Sequence, residues 1–152
     1  MMILKTKKIN SLSKLPEQAH KGDMFDLFAN EDIVLNSFES KIVKLGLAFD
    51  IPKGYRIKIF SRSSLPIKKQ VIVSNGVGIV DEQYKNQIGL ICHTLPKNFF
   101  GFLINNKVEI KRGDKIAQMQ LEKIKDFQIE EVEELDMKND RGGGFGSTDK
   151  VK

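Results

Sequence analysis

Between residues 43 and 59 the apolar side chains fall on every second position. They are Val43, Leu45, Leu47, Phe49 and Ile51, then Tyr55, Ile57 and Ile59 after a Pro52-Lys53-Gly54 turn. Successive side chains of a β-strand point to opposite faces, so a period of two buries one face and wets the other. A helix needs apolar residues three and four apart, which this stretch does not supply. It reads as half-buried strands joined by a hairpin. Ala117, Met119 and Leu121 resume the period and leave Gln118 and Gln120 on the opposite face, and Val108 and Ile110 alternate too. Ile88-Gly89-Leu90-Ile91-Cys92 reads as a buried strand, and Phe99 to Ile104 as another apolar run; Asn105-Asn106 and Lys111-Arg112-Gly113-Asp114 supply turns. Many short strands with turns about every ten residues argue an all-β barrel or jelly roll.

Length and charge narrow the class. The 152 residues suit one domain with a real core. At 40% apolar and 30% charged the composition is that of a soluble globular protein. No apolar run is long enough to span a membrane, and the start, Met1 to Lys8, is too short in apolar residues for a signal peptide. Cys92 is the only cysteine, which excludes a disulfide framework and a thiolate zinc cluster and makes a reducing, cytoplasmic location the expectation. The net charge of +5 suits an anionic ligand. The basic residues are scattered lysines with no interleaved aromatic stripe, so direct nucleic-acid binding is not expected.

Five stretches carry groups with chemical potential. Ser74-Asn75-Gly76 lies between Val71-Ile72-Val73 and Ile79-Val80, and Asn-Gly between apolar runs signals a hairpin because both residues tolerate positive φ. Asp81 and Tyr84 follow, placing an amide, a carboxylate and an aromatic ring on one short element. Asp26 sits among apolar neighbours in Met24 to Ala29, either at a strand end in solvent or held for a purpose. Arg62-Ser63-Ser64 precede a stretch, Ser64 to Lys69, that allows a short helical turn with Pro66 in its first turn. Serine there is either an ordinary cap or, with the guanidinium fork, a grip for phosphate. Gln118 is either solvated or turned to a cleft. The end, Asn139 to Lys150, is glycine-rich yet carries Arg141, Phe145, Ser147 and Thr148. Free glycine runs are mobile, while these side chains suit a base and a polyphosphate. Residues 122–136 are acid-rich with no clean period and read as a solvated strand or linker.

Taken in order, these stretches resemble the five motifs of trimeric dUTP diphosphatases (dUTPases). They are Asp26-Leu27-Phe28-Ala29 with Glu31-Asp32, Arg62-Ser63-Ser64-Leu65, Asn75 to Asp81 with Tyr84, Gly113-Asp114-Lys115-Ile116-Ala117-Gln118, and Arg141 with Gly144-Phe145-Gly146-Ser147-Thr148. The resemblance implies a distorted jelly roll of short antiparallel strands (a β-clip) with one short helix. It divides the chain into a β domain over 1–136 and a mobile arm over 137–152 that closes on the active site. It further implies a homotrimer with active sites shared between subunits, and hydrolysis of dUTP to dUMP and pyrophosphate with Mg²⁺. That reaction keeps uracil out of DNA and supplies dUMP for dTMP synthesis.

Residue roles follow from the same resemblance. Asp81 would activate the water that attacks the α-phosphorus. Asn75, with the backbone of Gly78, Ile79 and Val80, would read the uracil edge, and Tyr84 would pack under the deoxyribose. Arg62, Ser63, Ser64 and Gln118 would hold phosphates, and Asp26 would hold Mg²⁺ through waters. Arg141, Gly146, Ser147 and Thr148 would bind the γ-phosphate end while Phe145 stacks on the base. Departures from the family pattern are Pro66, Gln70 and Asn86, a last motif one residue short between Arg141 and Phe145, and Asp149 at its end. Two rivals differ in chemistry: a dCTP deaminase-like enzyme of the same fold, and a dUTP-dependent regulatory binding protein that meets a protein partner through the acidic stretch or the lysine-rich N-terminus.

Overall fold

The computed structural model describes residues 2–95, 97–99, 102–104, 107–140 and 142. Its regular structure is short antiparallel strands and one short helix. Strands β1 (Lys5–Lys8) and β5 (Leu47–Asp50) pair with each other. Strands β2 (Phe25–Phe28), β13 (Lys115–Lys123), β6 (Tyr55–Ser61) and β8 (Val77–Val80) form a four-stranded sheet in that order. Strands β4 (Ser40–Lys44), β9 (Gly89–Thr94) and β7 (Val71–Val73) form a three-stranded sheet. Strand β3 (Ile33–Asn36) pairs with β12 (Lys107–Ile110), and β10 (Lys97–Phe99) with β11 (Phe102–Ile104). The helix α1 is Ser64–Lys69, closed by Gln70 in the left-handed region.

The alternation read in the sequence becomes the core. Ile57 and Ile59 of β6, Val43 of β4, and Leu47 and Phe49 of β5 are buried, together with Leu27, Leu35, Ile110 and Ile116. Each fully buried side chain of this size contributes about 1.5–3 kcal/mol relative to exposure.

Two expected hairpins are not hairpins. The Pro52 turn closes, with Tyr55 N–H donating to Pro52 O at 3.1 Å, but β5 then pairs with β1 while β6 pairs with β13 and β8. The Asn75-Gly76 turn closes likewise, Gly76 N–H donating to Val73 O at 3.2 Å with Gly76 at φ +66°. Yet β7 pairs with β9 and β8 with β6, so the turn joins two different sheets. Turn residues fix where a chain reverses; the edge each strand finds depends on where its apolar face is buried. The expected buried strand around Ile88–Cys92 is β9, but only alternate residues face inward. Leu90, Cys92 and Thr94 are buried while Ile91 is 43% exposed, because the sheet packs on the core with one face. Residues 124–136 carry no regular structure and leave Phe127, Ile129 and Leu135 exposed, as a linker reading requires.

Candidate active site

Asp26, Gln118 and Phe60 stand side by side across β2, β13 and β6. In register they share one face of the sheet. Gln118 Nε2 donates to Asp26 Oδ1 at 3.2 Å. Arg62, two residues beyond Phe60, brings its Nε within 3.2 Å of the same oxygen, and Lys115 Nζ lies 2.8 Å from Oδ2. Asp26 itself is 5% exposed. Burial pushes its carboxyl up, but hydrogen bonds from Lys115 and Gln118 and the charges of Arg62 and Lys115 outweigh it and hold the group below its ordinary value. The carboxylate is thus held ionised by its partners and is not at a strand end in solvent.

Lys115 was not anticipated as a site residue. It stands three positions before Gln118, and in a regular strand an odd separation sends two side chains to opposite faces. The register of β13 against β2 shifts between Lys115 and Ala117, so that Lys115 faces Phe28 and Ala117 faces Leu27. Ile116 is the extra residue of a bulge, and Ile116 and Ala117 are both buried. The bulge restores parity and lets Lys115 and Gln118 reach the same carboxylate.

Asp26 is the residue expected to hold Mg²⁺ through waters. In the single chain both its oxygens face cations or an amide donor, an arrangement that leaves no free oxygen for direct coordination. Among the described residues no group of three or more His, Cys, Asp or Glu could hold a metal.

Ser63 precedes α1 with its hydroxyl making no capping bond, so ordinary side-chain capping does not account for it. Ser64 opens the helix, and Leu65 N–H donates to Arg62 O at 3.0 Å, keeping the three residues on one short turn beside the Asp26 cluster.

A second group lies around β8. Asp81 is exposed and makes no ion pair or side-chain hydrogen bond among the described residues. Tyr84 N–H donates to Asp81 O at 3.0 Å, and its hydroxyl donates to Gln87 O at 3.1 Å. Glu82 ties this turn to the β5–β6 turn by accepting from Gly54 N–H at 2.8 Å. Ile79, Val80, Asp81, Tyr84, Ile88 and Gly89 line a cleft of about 170 Å³. Asn75 sits in the exposed turn with its amide over Gly78, where an added Cβ would lie 3.5 Å from Asn75 Nδ2.

The two groups are separated. Val80 faces Ile57 and Val77 faces Phe60, so Asp81 lies level with Arg56, six positions from Arg62. At roughly 3.3 Å per residue that is about 20 Å along the strand. The single chain therefore assembles Asp26, Arg62, Lys115 and Gln118 at one end, and Asp81 with Tyr84 at the other. Arg141, Phe145, Gly146, Ser147 and Thr148 lie outside the described residues.

A dUTPase family model matches residues 12–149. A deoxyuridine 5'-triphosphate nucleotidohydrolase of Trichodesmium erythraeum is 36% identical over 148 residues, covering 97% of this chain and 99% of the relative. Among solved structures, the Staphylococcus bacteriophage 80alpha dUTPase with dUPNHPP matches at a TM-score of 0.81 and 26% identity, covering 97% of this chain and 98% of that one. A dUTPase from phage phi11 of S. aureus, described as coordinating a structural Mg(II) ion, matches at a TM-score of 0.73 and 26% identity, covering 88% and 98%.

Proposed function

The chain belongs to the dUTPase family, and on that premise we propose that it hydrolyses dUTP to dUMP and pyrophosphate with Asp81 as the base. The observation that carries this is the family match across residues 12–149. In support of Asp81, its carboxylate borders the cleft of Tyr84 and Ile79 and has no cation to neutralise it among the described residues. A general base must be free to accept the proton of the water it activates. Asn75 and the backbone of Gly78, Ile79 and Val80 would read the uracil edge. Tyr84 would pack under the sugar, where a 2′-hydroxyl finds no room. Arg62, Ser63, Ser64 and Gln118 would grip phosphates, and the arm residues Arg141, Phe145, Gly146, Ser147 and Thr148 would close over base and γ-phosphate. Removal of dUTP in this way keeps uracil out of DNA and yields dUMP for dTMP synthesis.

The separation of Asp81 from Arg62 supports a homotrimer with shared sites, in which the phosphate-gripping end of one copy meets the Asp81 end of another. Mg²⁺ is the ion proposed to accompany the triphosphate and neutralise part of its charge, with Asp26 meeting it through waters; among the described residues no three His, Cys, Asp or Glu side chains cluster to hold it directly. No helix among the described residues is long and apolar enough to cross a membrane.

The test is hydrolysis of dUTP, dTTP, UTP and dCTP by wild type and Asp81→Asn. Cleavage of dUTP alone is expected, with kcat lowered about 10²- to 10⁴-fold in the variant and dUTP binding retained. Ammonia release from dCTP, or dUTP binding without cleavage by wild type, would refute the assignment.

A further inference from the structure

We propose that Lys115 is a phosphate-binding residue of the dUTP site and that Asp26 is the positioning residue that aims Lys115 and Arg62 at the triphosphate. The inference rests on the dUTP reading and deepens it.

The carboxylate is buried and the two cations are not. The Asp26 side chain is 7% exposed, against 28% for Arg62 and 40% for Lys115. One anchored acid thus holds two cationic heads at the surface. Each head keeps donors to spare. Among the described residues, Arg62 spends Nε on Asp26 and otherwise makes a 3.5 Å contact from Nη1 to Lys115 O. The guanidinium has five N–H groups and the ammonium three, so most of them are unspent among the described residues. Two positive charges and one negative leave the cluster at +1. Lys14 adds to the field, with Nζ 5.0 Å from the centroid of the Phe28 ring that Lys115 approaches at 5.8 Å. Ser63 and Ser64 stand beside this cluster with the Ser63 hydroxyl uncommitted to a cap. The bulge at Ile116 is what brings Lys115 round to this face. Bulges recur where a side chain must be re-aimed at a site. Ion pairs whose cations stay solvated add little to stability, so a purely structural purpose explains the arrangement poorly.

The test measures binding of a non-hydrolysable imido analogue of dUTP, and of dUMP, to the full-length protein by calorimetry in EDTA. Loss of a charge-assisted hydrogen bond weakens binding by roughly 10- to 100-fold. That loss is expected for the analogue with Lys115→Met, while dUMP stays within about twofold of wild type and Lys115→Arg recovers most of the affinity. Asp26→Asn is the sharper variant. It removes a negative charge beside a polyanion, so Coulomb attraction alone predicts tighter binding in EDTA. A positioning role predicts weaker binding instead. Lys115→Met binding the analogue like wild type, or Asp26→Asn binding it more tightly, would overturn the proposal. If Asp26→Asn does not fold, the half-exposed Lys115 pair decides alone. Wild type binding neither the analogue nor dUMP would mean that the dUTP reading had failed, a result distinct from a wild-type protein that binds and a lysine variant that does not care.

Discussion

Val80 pairs with Ile57, which puts Asp81 next along at the level of Arg56, six positions on β6 from Arg62, so the proposed base and the guanidinium lie in different neighbourhoods of one chain. A shared site predicts complementation. In the proposed homotrimer, Asp81→Asn and Arg62→Ala chains are each expected to be nearly inactive on their own. Co-refolded at equal amounts, hybrids should contain sites that draw an intact Asp81 from one copy and an intact Arg62 from another. Random assembly gives about a quarter of wild-type sites under cyclic symmetry. Steady-state dUTP hydrolysis by the mixture reads this directly. A mixture as inactive as its parents would show that each chain carries a whole site.

Gly46 links β4 to β5 at φ +69°, a conformation that disfavours a Cβ. There is no room for one either, since it would lie 2.5 Å from Asn30 Cγ, against the buried Ser13 and Asn30 side chains. Gly46→Ala should destabilise by about 2–4 kcal/mol, the sum of backbone strain and overpacking. Urea unfolding measures it. A change under about 0.5 kcal/mol, the range of an ordinary surface substitution, would mean that the N-terminal loop gives way freely.

Much of the strand content was legible because period two leaves little choice, as Ile57 and Ile59 illustrate. The helix Ser64–Lys69 was legible from its serine and proline. Pairing was not. Asn75-Gly76 marks a reversal, but nothing local says that Val71–Val73 belongs to β9 and Val77–Val80 to β6. Those partners come from sequence-distant strands whose apolar faces must meet. Asp26, Arg62 and Gln118 were singled out one by one in the sequence, and the fold brings their side chains together. Lys115 was hidden by the bulge, because regular alternation places it on the wrong face. A bulge is a register event between two strands and leaves no mark in either strand alone.

Asp114 offers a pH test of the loop that leads into Lys115. Burial pushes its carboxyl up. The Lys69 hydrogen bond, the Lys111 backbone N–H and the charges of both lysines outweigh this and hold it below its ordinary 3.8. Lys69 Nζ lies 2.6 Å away and the Lys111 N–H 2.9 Å. A lowered folded value means that the unfolded chain binds more protons, so the contribution is whole above that ordinary value and is lost as pH falls through the folded one. Wild type should exceed Asp114→Asn by about 1 kcal/mol at pH 6, with the gap closing below about pH 3.8. Denaturant midpoints across pH 3–7 check it, and a gap that widens in acid would reverse the assignment.

Tyr84 is anchored at both ends of its turn, through its backbone N–H to Asp81 O and through its hydroxyl to Gln87 O. A ring tied at both points suits the proposed steric discrimination against a bulkier sugar. Tyr84→Ala removes the wall and should raise kcat/KM for UTP relative to dUTP by roughly 10- to 100-fold, the range that one misfit group commands in a pocket. Tyr84→Phe keeps the wall and loses only the hydroxyl anchor, so most discrimination should survive with a modest rise in KM. Competition of UTP against dUTP in a single reaction separates the two variants. If Tyr84→Ala still rejects UTP as wild type does, the 2′-position is read elsewhere, and the neighbouring side chains of the cleft, Ile79 and Ile88, become the next to change.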